Sequence, residues 1–183
     1  LFVGQDTRAT LFHTLDECCT AMGKRLLRAT ILRPLMDAAR LEARYEAVAE
    51  AHEDLLRREE IRRAFEGIQD LERLLARLSL DSAGPRDVRA LAASLRKLPG
   101  LKTALNAMKA VQWTEIAGRL DTLEDVTARI ETALIEDPPL TLADGGAIAS
   151  GMDGELDELR TISKTGRQAI AAIEERERER TGI

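Results

Sequence analysis

A chain of 183 residues that is 44% hydrophobic, 32% charged and only 3% aromatic has the composition of a helical protein and the length to bury a sizeable core. Its net charge of −5 is uneven: residues 115–183 hold eight Lys/Arg against sixteen Asp/Glu, and residues 64–114 hold eight against five. Without a concentrated basic stripe, this stretch is not expected to be the main grip on a nucleic acid, and any contact would come from Lys and Arg of residues 86–109 or near the C-terminal arm.

No run approaches the roughly 18 apolar residues of a membrane span, and residues 1–30 lack a signal-peptide core. Cys18 and Cys19, adjacent in sequence, have neither bridging nor metal-ligand spacing. They read as reduced thiols of a cytoplasmic protein, a reactive cysteine being the alternative.

The first elements are two short amphipathic helices separated by a capped turn. Leu11, Phe12 and Leu15 share one face of the first. Thr20 is the N-cap of the second and Gly23 lies in its first turn, while Met22, Leu26 and Leu27 share its face around Arg25. Pro34 ends this helix or starts the next. Residues 37–66 form two helices or one bent one, with Leu41, Tyr45, Val48, Ala49 and His52, then Leu55, Leu56, Ile61 and Phe65, at helical spacing.

Ile68, Leu71, Leu74, Leu75 and Leu78 give a compact stripe closed by residues 79–84. Asp70, Glu72 and Arg73 within it are read as a solvated helix face; a salt bridge from Asp70 or Glu72 to an arginine of another helix is the sharper alternative. A helix entered at Pro85 runs to about Leu98, where Pro99-Gly100 punctuates it. A short helix over 101–109 and a longer one over 113–135 follow, with Trp113 a core or lid anchor rather than a base-stacking residue.

Asp137-Pro138-Pro139 blocks further helix. Leu140 to Leu142 reads as extended, Asp144-Gly145-Gly146 as a turn, and Ala147 to Ser150 as a second short strand. The Gly-Gly pair is followed by no Gly-Lys-Ser/Thr and is no phosphate loop. From Asp153 the pattern becomes one long helix of about 40 Å, with Leu156, Leu159, Ile162, Ser163, Ala169, Ile170 and Ile173 on its apolar side and Thr181-Gly182 as an end cap. The fold class is therefore all-α, with a very short β-like element near residues 140–150. Residues 1–135 form a helical core, 136–152 a connector and 153–183 a lever helix.

His13 and His52 lie within helical patterns without a nucleophile or carboxylate cluster, and Asp157 and Glu158 point apart on a helix surface. No catalytic, cofactor-binding or metal-binding residue is expected.

The residue strings resemble the core or lever domain of the MutS family of DNA mismatch-repair ATPases. The resemblance is carried by Leu11, Phe12, Leu15 and Asp16; by Thr20, Met22, Gly23 and Arg25; by Pro34; and by Asp70, Glu72 and Arg73. It continues through Asp137 to Pro139, then Asp144, Gly145, Gly146 and Ile148, then Gly151 with Glu155, Leu156 and Asp157, and ends in Glu177 to Gly182. Thr30 departs from it, since many relatives carry tryptophan there.

The resemblance implies a parent protein that binds mismatched duplex DNA as a homodimer and hydrolyses ATP with Mg. This piece lacks the P-loop, the Phe-x-Glu mismatch reader and the clamp. It is expected to bind DNA weakly or not at all and to relay motion between the ATPase module and the clamp. The start at Leu1 without methionine and the stop at Ile183 read as an excision. A free-standing helical adaptor whose acidic arm binds a partner is the alternative.

Overall fold

The computed structural model describes residues 10–181, the side chain of Ala169 excepted; the expected cap at Gly182 lies outside the described residues. The helices are α1 (Leu11–Leu15), α2 (Ala21–Leu32), α3 (Ala38–Glu53), α4 (Leu55–Ala64), α5 (Leu71–Ser79), α6 (Pro85–Leu95), α7 (Leu98–Asn106), α8 (Val111–Arg119), α9 (Glu124–Ala133) and α10 (Gly154–Thr181), with a 3-10 turn at Leu142–Asp144. No strand occurs among the described residues, so the chain is all-α.

Side-chain caps start six of these helices. Thr10, Thr20, Asp37, Asp54, Asp70 and Asp153 each accept a hydrogen bond from the backbone N–H three residues on, satisfying a donor that the first turn leaves free. Asp54 also closes α3, which makes residues 38–64 two helices rather than one bent one.

The expected helix boundaries move in two places. Pro99-Gly100 opens a helix instead of closing one: α6 stops at Leu95, and Pro99 occupies the first turn of α7, where no backbone donor is needed. The single helix expected over 113–135 is two. Asp121 Oδ1 accepts the N–H of Leu123 at 3.0 Å, and Leu123 turns into the left-handed region at φ +49°. Apolar spacing hides this break because Leu120, Leu123 and Ile130 all pack against the same core.

The expected strand pair of 140–142 with 147–150 does not form. Ile148 instead bridges antiparallel to Leu134, the Ile135 N–H donating to Ala147 O at 3.0 Å and the Ala149 N–H to Ala133 O at 2.8 Å. Leu142–Asp144 is wound as the 3-10 turn.

The core gathers Ile61, Leu74, Leu91, Leu95, Leu98, Leu101, Leu105, Met108 and Ala117, with Trp113, Phe65 and Ile68 packed around it. α6 lies on α9, α7 lies between α4 and α8, and α3 flanks α8 and α4. Ser94, fully buried, pins α6 to the α4–α5 turn: its Oγ donates to Ala90 O at 2.9 Å and accepts the Gln69 N–H at 3.1 Å.

Several expected core positions face outward. Leu26 is 69% exposed, and Leu11, Leu15, Tyr45, Val48, Leu55, Leu56 and Leu75 are exposed as well. α3 buries Ala47 in their place. No residue of α1 or α2 is buried, and no described side chain of α10 is either.

Candidate functional site

The residues singled out in the sequence collect at two junctions, one between α2 and α5 and one in the connector between α9 and α10. At the first, Arg25 of α2 reaches the start of α5. Its Nη1 and Nη2 donate to the two oxygens of Asp70 at 2.7 and 2.6 Å. Its Nε and Nη2 donate to Glu72 Oε2 at 2.8 and 2.5 Å. The fork on Asp70 is the planar bidentate match that guanidinium makes to carboxylate. Glu72 thus enters an ion pair while remaining largely exposed, so the sharper of the two readings of this segment is the one that forms.

Asp70 does double duty, since its Oδ1 also accepts the Arg73 N–H as the cap of α5. Arg25 beside it holds its carboxyl down at about 2, and Arg25 is itself pushed up by Asp70 and Glu72. Nearby, Lys24 pairs with Asp16 at 3.1 Å, and Arg62 Nη1 donates to Glu17 O at 3.1 Å. Partial covering would raise the Asp16 carboxyl, but Lys24 and the Cys18 N–H more than offset it, leaving a net lowering. Burial, then Asp16, pushes the Cys18 thiol up, away from reactivity. Gly23 sits in the first turn of α2, where an added Cβ would crowd Thr20 Oγ1 at 3.1 Å.

An acid titration probes this junction. A carboxyl whose folded pKa lies below its unfolded one stabilises the fold above the unfolded value, and the contribution drains away as pH falls through the folded one. For Asp70 that window runs from 3.8 down to about 2. Arg25→Ala is expected to flatten the loss of stability over this window, measured by denaturant unfolding at successive pH values. Parallel curves for the variant and the native chain would show that the ion pair does not hold Asp70 down.

The second junction is the connector between α9 and α10. Arg86 Nε donates to Pro138 O at 2.9 Å, tying the proline turn to α6. Gly84 lies so close to Leu140 O that an added Cβ would collide with backbone. Asp144 Oδ2 accepts from the Thr141 N–H at 3.0 Å and from Thr141 Oγ1 at 2.9 Å, and these bonds lower its pKa. Gly145, Gly146 and Gly151 have φ of +72°, +77° and +86°, a region that glycine enters freely. Their role is to reverse the chain.

At the root of α10, Asp153 Oδ1 accepts the Leu156 N–H at 2.9 Å as an N-cap. Asp157 Oδ2 accepts the Gly151 N–H at 2.6 Å. Arg160 donates from Nη1 to Asp157 Oδ1 at 3.1 Å and from Nη2 to Ile148 O at 2.9 Å. Leu156 is half-buried and Glu155 exposed. Pro34 lies in the irregular segment between α2 and α3. Among the described residues no hydrogen bond or ion pair joins the Arg25 junction to the α10 root.

Sequence reading missed Glu50, Trp113's partner and Arg160. Glu50 accepts the N–H groups of Lys109 and Ala110 at 2.7 and 2.8 Å, serving a helix start that has no side-chain cap of its own. Trp113 Nε1 donates to Ala47 O at 3.0 Å, which ties α8 to α3. The uncapped Ala110 ahead of α8 was the one available signal that an outside acceptor was needed.

Of the basic residues in 86–109, three have internal partners. Arg86 is engaged as above, Arg96 pairs with Glu131 at 3.3 Å, and Lys102 Nζ donates to Leu120 O at 2.7 Å. No group of three or more His, Cys, Asp or Glu among the described residues could hold a metal ion. No described helix is long and apolar enough to cross a membrane.

Compared with known proteins, residues 2–181 match the family model of MutS domain III. The DNA mismatch repair protein MutS of Solibacter usitatus is 48% identical over 180 residues, which is 98% of this chain and 21% of that protein. The proteins of the same name from Symbiobacterium thermophilum and Methanothrix thermoacetophila are 43% and 42% identical over 176 residues each, 96% and 95% of this chain and 20% of each relative. The chain thus spans about a fifth of the length of these relatives.

Proposed function

The chain belongs to the MutS domain III family, and from that premise we propose that it is a non-catalytic transmission domain. It relays conformational change between the ATPase module and the DNA clamp of its parent protein. In this reading the parent is a homodimeric, DNA-dependent ATPase that uses ATP and Mg and recognises mismatched duplex DNA, while these residues bind DNA weakly or not at all. The relatives' name, DNA mismatch repair protein MutS, supports the setting.

One observation carries the mechanical part. α10 is a single helix of 28 residues, about 42 Å at 1.5 Å per residue, and its described side chains are exposed beyond Arg160. A helix of that length held at one end turns a small rotation at its root into a large displacement at its tip. The packed body of α3 to α9 supplies the stiff base that such an arm needs.

The test uses the intact protein with residues 164–170 deleted. Seven residues return the helix to within about 20° of its original facing while shortening it by roughly 10 Å. Mismatch binding and ATP hydrolysis are expected to persist while nucleotide-dependent DNA release slows at least tenfold. Release at the native rate would overturn the relay.

A further inference from the structure

α10 is a long arm with little to hold it. After Arg160 every described side chain is exposed, and only Leu156, Asp157 and Arg160 are half-buried. Apolar packing therefore does little to fix its direction. The structure assigns that task to Asp157 and Arg160: we propose that they form a clasp which sets the angle at which α10 leaves the helical body.

The clasp works from both sides of the chain reversal. Asp157 uses one carboxylate oxygen for the Gly151 N–H and the other for Arg160, so both oxygens are committed. Gly151 presents that N–H from a left-handed turn at φ +86°, a conformation other residues adopt only with strain. The second arm of Arg160 takes Ile148 O. Ile148 belongs to the segment bridged to the end of α9 through Leu134, and α9 lies on α6.

An unbroken path therefore runs from the core through α9, the bridge and Ile148 to Arg160 and Asp157, and so into the arm. With Asp157 and Arg160 only 32% and 31% exposed, these charges are less screened than those of an ordinary surface pair. The carboxylate also sits near the positive end of the α10 dipole.

The leverage is large. A change of about 10° at the root moves a point 28 residues away by roughly 7 Å, taking 1.5 Å of rise per residue. Two side chains thus govern the displacement of an arm whose described side chains beyond Arg160 are all exposed. Their part in transmission rests on the relay proposed above, while the clasp itself is a statement about geometry and is tested as one.

The experiment places spin labels at Asp125 of α9 and Glu175 of α10, both exposed, through cysteine substitutions in a Cys18→Ser, Cys19→Ser background. Labelled chain is diluted into unlabelled chain so that only intramolecular distances are read by pulsed electron–electron resonance. The native clasp is expected to give one narrow distance distribution. Arg160→Gln and Asp157→Asn are expected to at least double its width or shift its centre by several ångströms, with helicity by circular dichroism unchanged. Glu158→Gln, a substitution on the exposed neighbour, should leave it as it is.

Should Arg160→Gln unwind the helix, Arg160→Lys is read on the same criterion, since it keeps the charge but not the two-armed reach. A native-like distribution in the folded Arg160 variant would overturn the clasp and leave the relay standing. Native-rate release by the seven-residue deletion would overturn the relay and leave the clasp standing.

Discussion

Leu105→Ala is expected to destabilise the chain by about 2–5 kcal/mol, the range for emptying a buried leucine site that relaxes only in part. Leu105 is 3% exposed on α7 and belongs to the cluster formed with Ile61 of α4, Leu95 of α6 and Ala117 of α8. Four helices meet there, so the missing methyl groups leave a void bounded by elements that cannot all close inward. Leu26→Ala is the contrasting variant. Leu26 is 69% exposed on α2, and its truncation should stay within about 0.5 kcal/mol. Urea unfolding of both variants beside the native chain measures the difference. A cost below about 1 kcal/mol for Leu105→Ala would mean that α7 is not the centre of the packed body and that the base proposed for the α10 arm is soft.

That contrast shows what could be read from the residues and what could not. The start of α2 was legible because Thr20 supplies an N–H acceptor, and that of α6 because Pro85 presets the first turn, whereas the caps at Asp37, Asp54 and Asp70 were not read. Apolar spacing failed wherever two different structures share one pattern. Leu120, Leu123 and Ile130 keep helical intervals across a chain that turns left-handed at Leu123. Pro99 looks the same whether it follows one helix or sits in the first turn of the next.

The hairpin read at Asp144-Gly145-Gly146 failed for another reason. A turn sequence says that the chain reverses, not which segment it then meets, and Ile148 meets Leu134. Pairings between distant residues were legible only as alternatives. Asp70 and Glu72 could be expected to want an arginine, but nothing in the spacing chooses Arg25, 45 residues away from Asp70. Arg160 was invisible because half of its binding site is the backbone oxygen of Ile148, which leaves no mark on composition. Many of the positions carrying the family resemblance lie at caps, turns and junctions rather than in the core. Core volume can be filled by many apolar sets, whereas a cap or a clasp needs a particular group at a particular place.

The arm's apolar stripe leads to the second large effect: the 183-residue chain is expected to pass from monomer to dimer as its concentration rises. Leu159, Ile170 and Ile173 are between 57% and 68% exposed, and together with Leu156, Ser163 and Gly166 they follow the alternating three- and four-residue intervals of a coiled-coil seam. The seam is symmetric about a point between Lys164 and Thr165. An antiparallel second copy would set Leu156 against Ile173, Leu159 against Ile170, and Ser163 against Gly166. Small side chains at the centre let the backbones approach, and large ones close both ends. Beyond Ile173 the same face carries the Glu177–Arg180 ion pair at 2.8 Å, which limits the seam to about five turns. Ile170→Glu places a charge in the seam on both copies and should hold the mass at monomer. Gln168→Glu adds the same charge on the opposite face and should leave association unchanged. Sedimentation equilibrium separates the cases: a native chain that stays monomeric at the highest concentration reached, or a Gln168→Glu variant as impaired as Ile170→Glu, would show that the stripe does not recognise its own reverse and that net charge alone governs association.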